Sequence, residues 1–353
     1  MTSTTTEGGR HEAPEEPRGL REDLRDALGP RTVALVVGVL LLQIGFVLSY
    51  VGAFHAPTPR DVPVRIVGPA AATRQFTTAI GGIDGHPLSP TATTDRAAAE
   101  TALRDGDISA VLVVDAGGTN DTLLVASGGG ASVATAVETV VQAAERQQAR
   151  TVTVSDAVPL QAGDARGLTG FYLVVGWLVG GYLMAAIIGV AKGARPLNPR
   201  RAGIRLGAVL PYALVSGVGG AIVVGPVLHA LDAPFLAVAG VGALLVAAAA
   251  TVTMAFQTLF GVIGIGVTVL LFVVLGNPSA GGAYQSSLLP PFWRAIGPAL
   301  PNGAGVDVIR RLVYFGSSGV TSPLLVVSAW VVGGVAATWV AVAVAARRQR
   351  ANA

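Results

Sequence analysis

This sequence predicts an α-helical polytopic membrane protein, with six transmembrane helices and an extracytoplasmic α/β domain inserted between the first two. Three observations carry the prediction. Of the 353 residues, 52% are hydrophobic and only 13% charged, whereas a soluble globular chain carries about 25% charged residues. The apolar residues gather in runs of about 20, the length that crosses a ~30 Å hydrocarbon core at 1.5 Å per residue. The basic residues cluster beside those runs in a pattern that fixes an orientation.

The runs are 32–54, 170–191, 206–228 and 323–346, and between them 234–276 forms an uncharged stretch of 43 residues. That stretch is too long for one crossing, so it is expected to fold back near 253–257, which gives six spans. The loop after the second span holds Lys192, Arg195, Arg200, Arg201 and Arg205 without an acid, and the tail 347–353 holds Arg347, Arg348 and Arg350. Both belong in the cytoplasm by the positive-inside rule, and an even span count places the N-terminus there too. The segment 55–168, with eight arginines against twelve acidic residues, falls outside. The first run has 23 apolar residues, longer than the 7–15 of a cleaved signal, and is expected to remain as an anchor.

The cytoplasmic tail, 1–31, has two parts. Residues 1–16 are polar and expected to be disordered. In 17–29, Leu20, Leu24 and Leu28 line one face and Arg21, Glu22, Arg25 and Asp26 the other, a short amphipathic helix suited to the inner interface. The outer segment reads as alternating elements. VPVRIVG is a strand, AAATRQFTTAI a helix, DRAAAETALRDGDI a helix ending at Asp105-Gly106, and SAVLVV and TLLVAS are strands. After the break Gly128-Gly129-Gly130 come a helix over 133–149 and the strand TVTVSDAVPL. A mixed sheet with helices on it follows.

Catalytic chemistry finds no constellation. There is no cysteine, so disulfides, thiolate metal sites and cysteine nucleophiles are excluded. Asp105, Asp107, Asp115 and Asp121 lack the spacing of a Ca²⁺ loop, and His11, His55, His86 and His229 are scattered. The triple glycine precedes no Lys-Ser/Thr, so it is no phosphate cradle. An enzyme is not expected, nor a metal, a cofactor or a nucleic-acid partner. The spans carry no ionisable group at mid-depth, where ion-coupled transporters keep them; Gln43 and Gln257 are their strongly polar side chains. Without a GxxxxGK[ST] loop the chain cannot hydrolyse ATP, so uphill transport would need a separate ATPase subunit. Its contact surface is expected at the loop 192–205, on Arg195, Arg200 and Arg201. Gly176 and Gly180, and Ser216, Gly217, Gly219 and Gly220, allow close helix approach within one chain or across a dimer. Among the tryptophans, Trp293 is the best interfacial anchor.

Between the last two spans, 288–316 is bounded by Pro290, Pro291 and Pro301. Val306, Ile309 and Val313 share one helical face, flanked by Asp307, Arg310 and Arg311. A re-entrant outer segment is expected, with its apolar face on the bundle and its arginines toward the headgroups.

Three stretches resemble a known family. AAAETALRDGDISAVLVV, DAVPLQAGDARGLTGFYLVVGWLVGGYLMA with Val158-Pro159-Leu160, Asp164 and Gly167, and LLPPFWRAIGPALPNGAGVDVIRRLVYFG with Leu300-Pro301 and Arg310 look like the permease subunits of ABC-2 type exporters. The closer likeness is to the phage-infection-protein (YhgE/Pip-like) branch, over about residues 32–346. The resemblance implies a homodimeric permease in the bacterial cell membrane, in contact with membrane lipid and served by a separate ABC ATPase subunit. It would export a hydrophobic or amphipathic substrate, with Pro301 and Arg310 at the outer gate. It also implies an alternative: an envelope docking or scaffold protein, such as a phage receptor or secretion-apparatus component, without transport.

Overall fold

The computed structural model describes residues 29–196 and 198–351; the tail 1–28, with the expected amphipathic helix 17–29, lies outside them apart from its last residue. Helix α1, Pro30–Phe54, is one of five helices among the described residues long and apolar enough to cross a membrane. The others are α5, Thr169–Lys192; α6, Pro199–Ile222, prolonged by one wide turn through Val227; α7, Phe235–Phe260; and α11, Thr321–Ala351, which continues past the expected end at 346. The protein is therefore polytopic and helical, with one small mixed sheet.

The expected reversal at 253–257 is not there. Those residues lie inside α7, buried from Thr253 to Ala255. The helix ends instead at Gly261, whose φ of +66° lies in the left-handed region that a glycine takes without strain. The chain after it, Ile263–Ser279, is a shorter apolar helix: α8, Ile263–Val269, then a wide i→i+5 stretch over Leu270–Gly276 and a last turn Asn277–Ser279. Such stretches appear where the helical ladder makes room for an inserted group.

Three helices pack on α7, and glycine makes each approach possible. A β-carbon at Gly181 of α5, Gly217 of α6 or Gly334 of α11 would run into the backbone of α7 at Val246, Ala239 or Val252. Gly220 and Gly242 make room for the Trp177 ring, whose Nε1 donates to the Ser216 carbonyl at 3.0 Å. Small residues drive association in lipid because they let backbones close on one another. By contrast the pair singled out by spacing, Gly176 and Gly180, meets little: nothing stands within 4 Å of a β-carbon at Gly176. The hydroxyls of Thr251, Thr253 and Thr258 bond back to carbonyls of their own helix, so α7 buries them satisfied. Gln257 is buried against Gly189, and its Nε2 finds no partner on a neighbouring helix.

The α/β domain, called the outer domain after its expected position, has strands β1, Val62–Val67; β2, Leu88–Thr93; β3, Ala110–Val113; β4, Asn120–Val125; and β5, Thr151–Asp156. Its sheet order is β2-β1-β3-β4-β5, with β3–β4 antiparallel and the other pairs parallel. Helices α2, Ala70–Gly81, and α4, Ala131–Gln147, cover one face, where Val62, Val64 and Ile66 meet Phe76, Ile80, Val137 and Val141. The other face carries only α3, Arg96–Arg104, and its apolar cluster is completed from outside the domain. Helix α3 starts on the Asp95 side chain, which accepts from the Ala98 amide at 2.9 Å, and stops before Gly106 at φ +76°. Strand β2 is not among the expected elements; its sequence LSPTAT contains Pro90, tolerable here because β2 is the sheet edge.

One charged cluster is sealed inside this domain. Asp121 is fully buried, Glu145 is 1% exposed, and Arg150 reaches Asp121 from its Nε at 2.9 Å and also from its Nη2. Glu145 stands 3.8 Å from the Arg150 Nε, and neither of its oxygens has a hydrogen-bond partner. Burial, and then the neighbouring Asp121 charge, push its pKa from 4.5 up to about 8. A carboxyl raised in this way takes up a proton on folding. Its stabilising contribution is complete at low pH and is lost as the pH rises through about 8. Stability should therefore fall by up to about 1.4 kcal/mol per pH unit between about pH 5 and 8. Glu145→Gln should flatten that slope, read as thermal unfolding of β3 and β4 by hydrogen exchange in the whole protein. A slope equal to that of the parent would show that Glu145 does not titrate there.

Candidate functional site

The segment between the last two apolar helices forms the site. It comprises a short turn, Ser286–Leu288, helix α9, Pro291–Ile296, a turn Gly297–Ala299 and helix α10, Pro301–Tyr314. Leu300 is extended before Pro301, as a residue preceding proline prefers. Pro301 then starts α10, where its missing N–H is harmless. The next residue anchors the helix: Asn302, 1% exposed, donates from Nδ2 to the Phe272 carbonyl at 3.0 Å and to Asn277 Oδ1 at 2.8 Å. Phe272 lies in the wide turn, so the irregular backbone there and the buried amide of α10 belong to one contact. Val306 and Ile309 join the core of the helical bundle and Val313 packs against it, as the periodicity predicts, and Ala304 joins them.

The arginines do not point as expected. Neither Arg310 nor Arg311 is directed away from the protein. Arg310 is half-buried and its Nη2 donates to the Gly281 carbonyl at 2.7 Å. Arg311 pairs with Asp307 one turn earlier at 3.2 Å and donates to the Ser318 carbonyl at 3.0 Å. The carbonyls exposed by the irregular loops 280–285 and 316–319 attract these donors inward. Both arginines, with Asp307, line a cleft of about 460 Å³ between α10 and the outer domain.

The end of α10 locks into that domain. The Tyr314 hydroxyl donates to Asp164 Oδ2 at 2.7 Å, and Asp164, 4% exposed, also accepts from the Thr169 amide at the start of α5. Burial, and then this hydrogen bond to a carboxylate, raise the Tyr314 pKa, so the hydroxyl stays a donor. Phe315 fills the second face of the sheet, against Val67, Leu103, Val111 and Ala126. The glycines read as turns turn out to be the seats of these rings. A β-carbon at Gly106 would lie 2.9 Å from the Phe315 ring, and one at Gly128 2.5 Å from the Tyr314 ring. Gly130 makes the same room for Gln285. Sequence reasoning missed this interlock; the aromatic pair Tyr314-Phe315 closing an amphipathic helix just before Gly316 is the signal that could have pointed to it.

Two more loops meet the domain. Thr58 and Arg60 donate from their amides to the Leu288 and Ser287 carbonyls at 3.2 and 2.9 Å, and Gln161 and Asp232 exchange two bonds, at 2.9 and 2.7 Å. Arg195, Arg200 and Arg201 are elsewhere. All three are exposed, and Arg195 donates to the Leu259 carbonyl, just before the turn at Gly261, at 3.1 Å. Asn198 caps α6 by accepting from the Arg201 amide at 2.9 Å. Comparison of the chain with models of protein families, with curated proteins and with solved structures finds no match.

Proposed function

We propose that this chain is the permease subunit of an ABC-type exporter in the bacterial cell membrane, energised by a separate ATPase and moving a hydrophobic or amphipathic substrate outward. The observation that carries the reading is the double attachment of α10: its first turns are buried in the bundle, and its last residue, Tyr314, and the Phe315 that follows are seated in the outer domain. A movement of the bundle then reaches the outer face through Pro301 and Arg310. The short helix 263–279 serves as a sixth span, about 26 Å long at 1.5 Å per residue and closed by the turns around Asn302. Six spans leave both termini in the cytoplasm, with Arg195, Arg200 and Arg201 beside them, and two copies form the transporter.

The arginines of α6 support a partner on that side. Arg200 and Arg201 occupy the first turn of a helix, where a positive charge opposes the macrodipole by about 0.3–1 kcal/mol. A sequence keeps such charges for topology or for a binding partner. Arg200→Glu with Arg201→Glu should reduce by about tenfold the ATPase subunit that co-purifies from the native membrane, since each reversal replaces attraction by repulsion. An added Ala194→Cys should stay unlabelled by impermeant maleimide in intact cells, reporting normal topology. Undiminished ATPase recovery with normal topology would remove the coupling role. If the parent chain recovers no nucleotide-binding protein at all, the reading becomes the envelope docking protein, whose surface the interlocked outer domain would supply.

A further inference from the structure

The cleft above α10 has a charge without a partner. Arg311 and Asp307 neutralise each other across one helical turn. Arg310 forms no ion pair among the described residues, and one of its five N–H donors is used, on Gly281. The neighbouring carboxylate, Asp164, is occupied by the Tyr314 hydroxyl and the Thr169 amide and does not reach ion-pair distance. A half-buried guanidinium with no ion pair and most of its N–H donors unused leaves a place for an anionic partner in the cleft. The walls divide by chemistry. Beside Arg310 stand Ser286 and Gln285, whose buried Oε1 has no partner in the protein, while Ala304, Pro323 and Val326 form an apolar side toward the start of α11.

We infer that this cleft binds an anionic amphiphile, its phosphate or carboxylate headgroup on Arg310 and its apolar part along Ala304, Pro323 and Val326. The guanidinium fork offers two parallel donors to such a headgroup, the geometry arginine uses best. Gln285 turns its amide so that the NH₂ end also faces the acid. A volume of about 460 Å³ accommodates a headgroup and the first part of one chain. The inference concerns occupancy and does not rest on export, so loss of ATPase association leaves it standing, and loss of binding leaves the coupling test standing.

The test uses the full-length protein in a neutral maltoside detergent with dodecyl phosphate as the probe, followed by native mass spectrometry and titration calorimetry. One dodecyl phosphate should bind per chain. Arg310→Gln should weaken it at least tenfold, in line with loss of a charge-assisted contact. Ser322→Trp, at an exposed position on the rim of the cleft, should weaken it comparably without touching the charge or the core, which covers the case in which Arg310→Gln misfolds. Inorganic phosphate should bind at least tenfold more weakly than dodecyl phosphate, and dodecanol should not compete. Absence of binding to the parent protein, or binding by both variants as tight as the parent's, overturns the site. Inorganic phosphate binding as well as the amphiphile overturns the apolar half of the inference, and competition by dodecanol overturns the anionic half.

Discussion

Replacing Arg150 with methionine is expected to unfold the outer domain before any other part of the protein. The guanidinium is the one cation inside a cluster that also holds Asp121 and Glu145. It donates to both Asp121 oxygens, to the Gly118 carbonyl at 2.9 Å and to the Asp115 carbonyl at 2.8 Å, and it lies 6.0 Å from the centre of the Phe76 ring. Methionine restores the apolar stem and none of these donors. Removing one partner of a buried ionic group costs about 3–5 kcal/mol, because the charge left behind has neither water nor a counter-ion. In a domain of roughly 110 residues that is a fall of about 15 °C or more in the midpoint of unfolding. Adding Asp121→Asn should recover part of the loss, since the abandoned charge is then gone, Glu145 being largely protonated at neutral pH with a pKa of about 8. Hydrogen exchange of β3, β4 and α4 in the whole protein reads both variants. Arg150→Met with unchanged protection there would show that the cluster does not hold the domain.

The second large effect should come from Gly128→Val, at a residue that carries no chemistry of its own. Its φ is not in the left-handed region, so the substitution acts through space rather than through backbone strain. The new β-carbon would lie 2.5 Å from Tyr314 Cδ1 and 2.7 Å from Cγ. These are the stiff atoms of the ring base, which cannot swing away as a chain end would. Tyr314 must leave, losing its bond to Asp164 and drawing Phe315 out of its seat against Leu103 and Val111. Removing a buried phenylalanine from a core costs about 3–5 kcal/mol, and here the loss falls on docking of α10. The expected result is faster proteolysis in the loop 316–320 and faster exchange along α10, with the sheet itself protected. Tyr314→Ala alone should do less, and Tyr314→Ala with Gly128→Val should be milder than Gly128→Val alone, because the clash is gone. A Gly128→Val protein with the parent's proteolysis rate would mean that the ring finds another seat.

How far the sequence disclosed this architecture depends on which signal each element uses. Alternation and capping are local, so β1, α2, α3, β3, β4, α4 and β5 could be read in order. Strand β2 could not, because Pro90 argues against a strand unless the strand is known to be an edge, and edge position is a property of the whole sheet. The turn after α7 was misplaced for a related reason. An uncharged stretch has no internal marker of its middle, and Gly261 is one of 46 glycines. Small-residue spacing found Gly217, which does meet the backbone of α7, but it also picked Gly176, which faces open space, and passed over Gly181 and Gly334, because the motif does not say where the partner helix is. At the site, Pro301 and the apolar face of α10 were legible. The direction of Arg310 was not, since a charge in an amphipathic pattern points to water until an irregular loop supplies carbonyls. Arg195, Arg200 and Arg201 are exposed, but Arg200 and Arg201 lie in the first turn of α6 and not in the expected loop, because Asn198 caps the helix earlier than the apolar run suggested.

The pairing of Tyr314 with Asp164 spans 150 residues of chain, and this sets an order in time. A ribosome delivers the outer domain long before it delivers α10. By then the sheet can be complete, since its own contacts lie within 62–156. Its second face is not, because the place of Phe315 against Val111 and Leu103 stays vacant until nearly the whole chain has been made. The newborn protein therefore carries an open apolar pocket on this domain while α5, α6 and α7 are still being made. Assembly ends with Tyr314 and Phe315, at the end of α10, closing that pocket, and a chain truncated before Tyr314 would keep it open, a surface for chaperones, proteases or other unfinished copies.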